Sequence, residues 1–303
     1  MTSEKTVRQK FRERLQKKSL IVAPGIYDAY GARLVEQAGF EAVYMTGNGV
    51  SASVLGRPDV GLADLTLMTS QAHRITACVD IPVISDADTG YGNAVNVRHT
   101  VREFEAAGVA AIHLEDQASP KRCGQLPGAR PVIGLAEAVG KIEAAAAARR
   151  DPDFVIIART DAAEAHGLDE AIRRGKAFHK AGADVIFVEM KAGPSVLEDL
   201  KRVTSEVGAP CLVNMGAGGR LDELDAAGLG RLGLRIAIYP GLERASKGTA
   251  YQALAQDQQA LGQLNFFVNT DSAVTAVAGW TMPATSFNSF RDRTVLGRIG
   301  GMP

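Results

Sequence analysis

Short apolar runs alternate with longer amphipathic segments along most of the chain. Eight runs have the length of a β-strand: Ser19–Ala23, Ala42–Thr46, Pro82–Asp86, Ala110–Glu115, Phe154–Ala158, Val185–Glu189, Cys211–Asn214 and Arg235–Tyr239. The segments between them repeat apolar residues every three or four positions, which is the period of a helix with one buried face. They are Tyr30–Ala38, Leu65–Thr76, Val95–Ala107, Leu135–Ala148, Asp169–Ala181, Ser195–Val207 and a short one near Leu221–Ala227.

Strict alternation of strands and helices predicts a parallel sheet, and eight such units close naturally into a (β/α)8 barrel, the TIM-barrel α/β fold. The alternative is an open doubly wound sheet, but no GxGxxG motif opens a helix here. We predict one domain over residues 1–303. Residues 1–18 read as a basic amphipathic helix, and residues 264–303 as a C-terminal helical extension. The aromatic residues of that extension need cover, from the barrel or from a neighbouring subunit.

Composition narrows the function classes. The 303 residues are 46% hydrophobic and carry a net charge of zero, which argues against nucleic acid or an anionic membrane as the main partner. No apolar run approaches membrane-spanning length, and Met1–Lys18 lacks the apolar core of a signal peptide. The three cysteines show no metal-site spacing. We therefore expect a cytoplasmic protein in a reducing compartment.

The third apolar run ends in two acids, Asp86 and Asp88, followed by a glycine-rich turn. Residues two apart in a strand point to the same face, so these carboxylates are expected to point the same way. Like charges repel unless a cation lies between them, and carboxylate oxygens suit Mg²⁺ or Mn²⁺. The alternative is that both acids cap a helix or lie in a solvated turn, since this motif is weak on its own.

Other predicted strands also end in polar residues, and in a barrel these ends meet at one face. Each has a purely structural interpretation: His113 as a core histidine, Glu115 and Asp116 as loop caps, Arg159 as the partner of a buried acid. Burying so many ionisable groups at one mouth is nevertheless costly without a ligand. The pattern favours a divalent metal that holds an anionic, oxygen-rich substrate.

The loop after the fourth strand, Ser119–Pro127, is long, polar and glycine-containing, as a mobile lid is. Cys123 follows Lys121 and Arg122, and these cations favour its thiolate. A partly exposed cysteine beside a metal site is a candidate acid or base, the alternative being an incidental loop cysteine. Cys78 and Cys211 lie in apolar contexts and read as inert core residues.

Taken together, these motifs resemble the isocitrate lyase/phosphoenolpyruvate mutase superfamily. The likeness covers about Ser19 to Tyr239. Its strongest pieces are Tyr44–Gly49, Gly56–Gly61, Asp86–Gly92, His113–Gln117, Lys121–Gly124 and Ile157–Asp161.

The resemblance implies a homotetrameric (β/α)8 enzyme, a dimer of dimers, whose eighth helix is exchanged between subunits. It implies Mg²⁺, with Mn²⁺ as a substitute, held by Asp86 directly and through water by Asp59, Asp88 and Glu115. The substrate is expected to be a small anionic carboxylate. The residues implied in catalysis or substrate binding are Tyr44, Thr46, Gly47, Asn48, His113, Lys121, Arg122, Cys123, Gly124, Gln125, Arg159, Glu189 and Asn214.

Within this implied site, Thr46 and the amides of Gly47 and Asn48 bind the carboxylate of a pyruvate-like unit that Arg159 also contacts. The Lys121–Gly124 sequence is similar to members that cleave carbon–carbon bonds. Two places depart from those members. Gln125 stands where they usually carry histidine, and Asn214 is followed by glycine and alanine in place of hydroxyl residues.

The first hypothesis for function is a Mg²⁺-dependent lyase. It cleaves a 2-hydroxy di- or tricarboxylate, of substituted malate or methylisocitrate type, to pyruvate or a related 2-oxo acid and a carboxylate. Three alternatives stay open: phosphonomutase chemistry like that of carboxyphosphonoenolpyruvate mutase, oxaloacetate hydrolysis or decarboxylation, and a metabolite-binding barrel without catalysis. Gln125 and the Gly216–Ala217 pair are the best support for the last of these.

Overall fold

The computed structural model describes residues 5–124, 128–191, 193–215, 221 and 224–248. Eight parallel strands pair in chain order and close into a barrel, which confirms the predicted fold class. They are β1 (Ile21–Ile26), β2 (Val43–Met45), β3 (Val83–Asp86), β4 (Ala111–Glu115), β5 (Val155–Thr160), β6 (Val185–Val188), β7 (Cys211–Asn214) and β8 (Leu234–Tyr239). The pairing of β1 with β8 completes the ring.

Helices cover the outside of the barrel and the amino-terminal end of its strands. They are α1 (Val7–Gln16), α2 (Ala29–Gln37), α3 (Gly47–Val50), α4 (Leu65–Thr76), α5 (Ala94–Ala106), α6 (Leu135–Ala148), α7 (Ala162–His166), α8 (Leu168–Lys180), α9 (Val196–Glu206) and α10 (Ala226–Arg231). A π-helical turn, Ser51–Leu55, continues α3, and residues 242–248 after β8 are helical. The short α3 and α7 were not predicted, and α10 begins later than the predicted helix near Leu221–Ala227.

The predicted bounds of the first strand, Ser19–Ala23, were wrong, since β1 continues through Pro24 and Gly25 to Ile26. A Pro-Gly pair usually marks a turn, but Pro24 pairs in register with Tyr239 at the seam of the barrel. A Cβ added at Gly25 would lie 2.5 Å from the Tyr239 carbonyl oxygen. Glycine is therefore required where β1 and β8 approach most closely.

Three predictions lie wholly or partly outside the described residues. They are the C-terminal extension from residue 264 with Phe266, Phe267, Trp280, Phe287 and Phe290, the exchange of the eighth helix, and the single domain over the whole chain. In the part of the chain that the structure describes, no helix is both long and apolar enough to cross a membrane.

One hydrophobic cluster fills the interior of the barrel and includes two residues of α1, Phe11 and Leu15. Both face the barrel and are buried. Three arginines of the same helix donate to backbone carbonyls just before strands: Arg8 to Val109, Arg12 to Phe154 and Arg14 to Leu20. Thus α1 closes the amino-terminal end of the barrel, and the predicted basic amphipathic helix has a structural role.

Phe11, the aromatic residue of α1 that faces the barrel, is only 1% exposed. We expect Phe11→Ala to lower the free energy of unfolding by about 3–5 kcal/mol, because it removes a fully buried ring and leaves a cavity. Urea unfolding followed by circular dichroism measures this. Gln16→Ala, at an exposed position of the same helix, is the control. Equal unfolding midpoints for the two variants would contradict the assigned role of α1.

Candidate active site

The opposite mouth of the barrel holds the predicted acids. Strand β3 ends at Asp86, and Asp88 lies beyond it with a φ of 49°. The expectation that both carboxylates point the same way is confirmed, since a Cβ at Gly47 would lie 2.7 Å from Asp86 Oδ2 and 3.4 Å from Asp88 Oδ1. A left-handed turn, and not strand alternation, brings Asp88 there. The turn also joins the two acids, since the Asp88 backbone amide donates to Asp86 Oδ1 at 2.9 Å. Non-glycine residues rarely adopt such a φ, and Tyr91 does so in the same turn.

A cation does lie between carboxylates here, and it is Lys121. Its buried Nζ lies 2.9 Å from Asp59 Oδ1 and contacts Asp88 Oδ1. Burial alone lowers the pKa of this ammonium, but the surrounding carboxylates, Asp88 foremost, raise it well above its ordinary value. Lys121 therefore stays charged, and it links the loop after β4 to Asp59 and to Asp88 in the turn after β3.

Asp86 lies at the centre of a second group. Its Oδ1 is 3.5 Å from His113 Nε2, and the other ring nitrogen of His113 is 3.1 Å from the Tyr44 hydroxyl. Burial lowers the pKa of His113 to about 4, so the imidazole is neutral at pH 7. Burial alone raises the pKa of Asp86. Lys121, and His113 in the protonated form that it has at the low pH where Asp86 titrates, outweigh this and lower the pKa of Asp86 to about 2. Asp86 is thus a carboxylate at neutral pH.

The residues after β2 approach both Asp86 and the loop. Thr46 is the N-cap of α3, and the Gly47 amide donates to Asp86 Oδ2 at 3.3 Å. A Cβ at Gly47 would lie 2.7 Å from that oxygen, so the close approach requires glycine. The Asn48 side chain donates to Cys123 Sγ at 2.9 Å. The structure therefore brings the candidate thiol to the same mouth as Asp86.

Arg159 occupies the other side of the mouth among three acids. It pairs in a bidentate manner with Asp161, at 3.0 and 2.8 Å, and lies 3.5 Å from Glu115 Oε2 and 3.7 Å from Glu189 Oε2. The side-chain amide of Asn214 donates to Glu189 at 3.4 Å. Asp161 lies one residue past the end of β5, and its ion pair with Arg159 brings the two side chains to the same side of the strand end.

Comparison with known proteins decides the family. The model of the phosphoenolpyruvate phosphomutase family matches residues 11–259. The chain belongs to this family. It is 52% identical over 231 residues to 2,3-dimethylmalate lyase of Eubacterium barkeri, covering 76% of this chain and 78% of that one. It is 40% identical to 2-methylisocitrate lyase of Shewanella oneidensis, covering 82% and 85%.

Solved structures give the same result. A crystal structure of 2,3-dimethylmalate lyase superposes with a TM-score of 0.79 at 35% identity, covering 98% of this chain and 96% of that one. Phosphonopyruvate hydrolase in complex with oxalate and Mg²⁺ superposes with a TM-score of 0.76 at 31% identity, covering 98% and 97%. The predictions of the isocitrate lyase/phosphoenolpyruvate mutase superfamily and of a lyase within it are confirmed.

The carboxylates at this mouth have the donor chemistry for Mg²⁺ that the superfamily resemblance implies. Among the described residues, Glu115 Oε1 is buried without a hydrogen-bond partner, and burial raises the pKa of Glu115 well above its ordinary value. Across the described ranges, no three acids, histidines or cysteines converge as direct ligands of one ion. Such convergence is not required where Asp86 is the direct ligand and water carries the other contacts, since Mg²⁺ keeps several waters. The residues therefore fit the ion.

The remaining predicted residues either lie outside the described residues or make contacts away from the cluster of acids. Gln125 and residues 216–220 lie outside the described residues, so both sequence departures stay untested. The backbone amide of Arg122 donates to Gln117 Oε1 at 2.9 Å, and Gly124 is exposed. The thiols of Cys78 and Cys211 donate to backbone carbonyls, and burial raises the pKa of Cys211 to about 12, as expected for an inert thiol.

Sequence reasoning treated Asp116 only as a loop cap and missed Arg130 and Arg174. The structure places Asp116 under Arg159: its Oδ1 accepts from the Asp161 amide at 2.9 Å, and its Oδ2 accepts from Thr160 Oγ1 at 2.7 Å and Arg174 at 2.9 Å. Arg174 is a charged residue at a buried position of the amphipathic helix α8, and that mismatch is a signal the sequence offers.

Removing Asp116 tests whether this hydrogen-bond network contributes to the stability of the barrel. We expect Asp116→Ala to lower the free energy of unfolding by about 3–5 kcal/mol, because it leaves the buried Arg174 charge without its closest inward partner. Chemical denaturation of the purified protein measures it. Asp169→Ala is the matched control, since Asp169 pairs with Arg202 on the surface. Similar losses in the two variants would show that the buried position of Asp116 confers no special stability.

Proposed function

We propose that the protein is a Mg²⁺-dependent carbon–carbon lyase acting on a substituted malate, with 2,3-dimethylmalate as the leading candidate substrate. The observation that carries this is the Cys123 thiol, held by Asn48 next to Gly47, whose own amide contacts Asp86. A proton donor thus lies at the same mouth as a carboxylate suited to a metal. The 52% identity to 2,3-dimethylmalate lyase supports the choice of substrate.

Binding of the 2-hydroxy acid end is assigned to Arg159 and to the segment that begins at Thr46. The Arg159 guanidinium is oriented by Asp161 and Glu115 through Nε and Nη2, and it can bind a carboxylate through Nη1, which these contacts do not use. When bound, Mg²⁺ supplies Lewis-acid stabilisation of the negative charge that develops on the 2-hydroxyl oxygen. Asp86 is proposed as its direct ligand, with Asp59, Asp88 and Glu115 reached through water.

Chain residues then direct the cleavage. A carboxylate of the mouth is proposed to take the 2-hydroxyl proton. The C2–C3 bond then breaks and leaves pyruvate and a carboxylate-stabilised carbanion, which from 2,3-dimethylmalate is that of propionate. Cys123 is proposed to donate a proton to this carbanion. Neutral His113 and the Tyr44 hydroxyl line the site without adding charge at neutral pH, because burial raises the pKa of Tyr44 well above its ordinary value. Exclusion of water from the mouth is proposed as part of this mechanism, since water otherwise competes as proton donor.

A substrate panel tests the proposed reaction. Malate, 2-methylmalate, 2,3-dimethylmalate, methylisocitrate, isocitrate and oxaloacetate are each incubated with the protein and Mg²⁺, and 2-oxo acid formation is followed. We expect turnover of a substituted malate and a loss of about 10²-fold or more in Cys123→Ser, because the hydroxyl is a far weaker acid at this step.

Cys78→Ser is the matched control, since Cys78 follows α4 and its thiol contacts the backbone carbonyls of Ala29 and Ile75. A Cys123→Ser variant with the parental rate on the true substrate would remove Cys123 from the mechanism. Turnover of oxaloacetate alone would replace the lyase proposal with hydrolysis or decarboxylation. Inactivity on the whole panel would favour phosphonate chemistry or a binding protein.

The metal proposal has its own test. Because Asp86 is ionised and central, we expect Asp86→Asn to abolish Mg²⁺-dependent activity and the rise in melting temperature that saturating Mg²⁺ gives the parent. EDTA should remove the activity of the parent, and added Mg²⁺ should restore it. Asp169→Asn is the control for loss of one surface carboxylate. Full activity in excess EDTA would contradict the metal assignment.

A further inference from the structure

Arg130 lies where the loop that carries Cys123 returns to the barrel. Gln117 and Val132 form an antiparallel bridge, and the Ala118 amide donates to the Pro131 carbonyl at 2.8 Å. These contacts join the two ends of the loop. Arg130 directly precedes the returning strand of this bridge, and its side chain is only 3% exposed. Arginine is rarely buried to this extent unless its guanidinium is paired with acids.

The guanidinium faces acids of the candidate active site. Its Nη1 lies 2.9 Å from Asp161 Oδ1 and 3.9 Å from Glu189 Oε1, and its Nη2 lies 3.6 Å from Glu164 Oε2. Arg159 binds the same Asp161 oxygen at 2.8 Å. One carboxylate oxygen therefore joins Arg130 to Arg159. Among the described residues, Nε and Nη1 of Arg130 find no acceptor in hydrogen-bond geometry, so the contacts seen there are ion pairs.

The loop backbone rests directly on this guanidinium. A Cβ added at Gly124 would lie 2.7 Å from Arg130 Nη1. Gly124 does not have a positive φ, so its backbone conformation would accept alanine. Alanine beside Cys123 would therefore require the Arg130 guanidinium to shift, while the backbone conformation would not oppose it. Arg130 is in contact with the residue next to the thiol on one side and with the partner of Arg159 on the other.

We propose that Arg130 is a positioning residue that sets the Cys123–Gly124 turn and Arg159 relative to each other through Asp161. This inference rests on the proposed roles of Cys123 and Arg159 in the lyase reaction. Lysine is a poor replacement, because an ammonium is a point charge and lacks the planar fork that meets Asp161 and Glu164 together. Loss of Arg130 should affect both the thiol and the substrate-binding arginine.

A double-mutant cycle tests the contact without requiring a substrate. The parent, Gly124→Ala, Arg130→Ala and the double variant are treated with iodoacetamide, and the alkylation rate of Cys123 is followed by peptide mass spectrometry. Cys78 in the same samples is the internal standard. Gly124→Ala should change the rate in the parent by about fivefold or more, but by less than about twofold in Arg130→Ala, where the obstructing guanidinium is gone.

Equal fold-changes in the two backgrounds would overturn the proposal. If Arg130→Ala does not fold, the same cycle is run with Arg130→Lys, which keeps the charge but not the fork. Again, equal effects of Gly124→Ala with and without the change at Arg130 count against it, and a suppressed effect supports it. Because this cycle measures only alkylation, its result is independent of whether the lyase proposal is correct.

Kinetics on the substrate found by the panel supply the second readout. We expect Arg130→Ala to lower kcat/KM about 10²-fold, with KM raised through Arg159 and kcat lowered through Cys123, as small misplacements of reacting groups do. Its effect should be smaller in an Asp161→Asn background, since Asp161 transmits it. Arg202→Ala on the exposed face of α9 is the control. Parental kcat and KM in Arg130→Ala, or full additivity with Asp161→Asn, would overturn the positioning role.

Discussion

Compensation of buried charge at the carboxyl ends of β3 to β6 is the constraint on which the rest of the structure depends. Asp86, Glu115, Asp161 and Glu189 are buried there within a short distance of one another, and isolated buried carboxylates are costly. Cations that come from separate parts of the chain, Lys121 and Arg159 among them, offset this cost. Each cation therefore fixes one segment to another, and these ion pairs determine how the segments at the mouth are arranged.

The same constraint explains why the loop after β4 is built as it is. Lys121 ties the residues before Cys123 to the turn after β3, and Arg130 ties the segment that returns to the barrel to the end of β5. Between these two ion pairs in sequence lies Cys123, in contact with Asn48 from a third strand end. A thiol on a long loop is normally poorly placed for proton transfer. Here buried ion pairs hold the described residues on both sides of it.

Sequence reasoning reached the barrel because period-two and period-3.6 patterns reflect which face of each element is buried, and burial sets the fold. It also found most residues of the mouth, since strand ends of one barrel share a face. It failed where side chains act outside that periodicity. Lys121 pairs with Asp88 from 33 positions along the chain, and Arg174 reaches Asp116 from a helix 58 positions along the chain. Spacing does not encode such contacts.

Buried polar atoms without hydrogen-bond partners are unevenly distributed between the two ends of the barrel. At the amino-terminal end, arginines of α1 bind backbone carbonyls over an apolar cluster that contains Phe11, and one buried nitrogen there, Arg12 Nε, lacks such a partner among the described residues. At the carboxyl end, Glu115 Oε1, His113 Nε2 and two nitrogens of Arg130 lack one within the described part of the chain. Native proteins leave few such atoms, and each one has a cost. More of them therefore lie at the carboxyl end, where a bound ion or substrate can complete them.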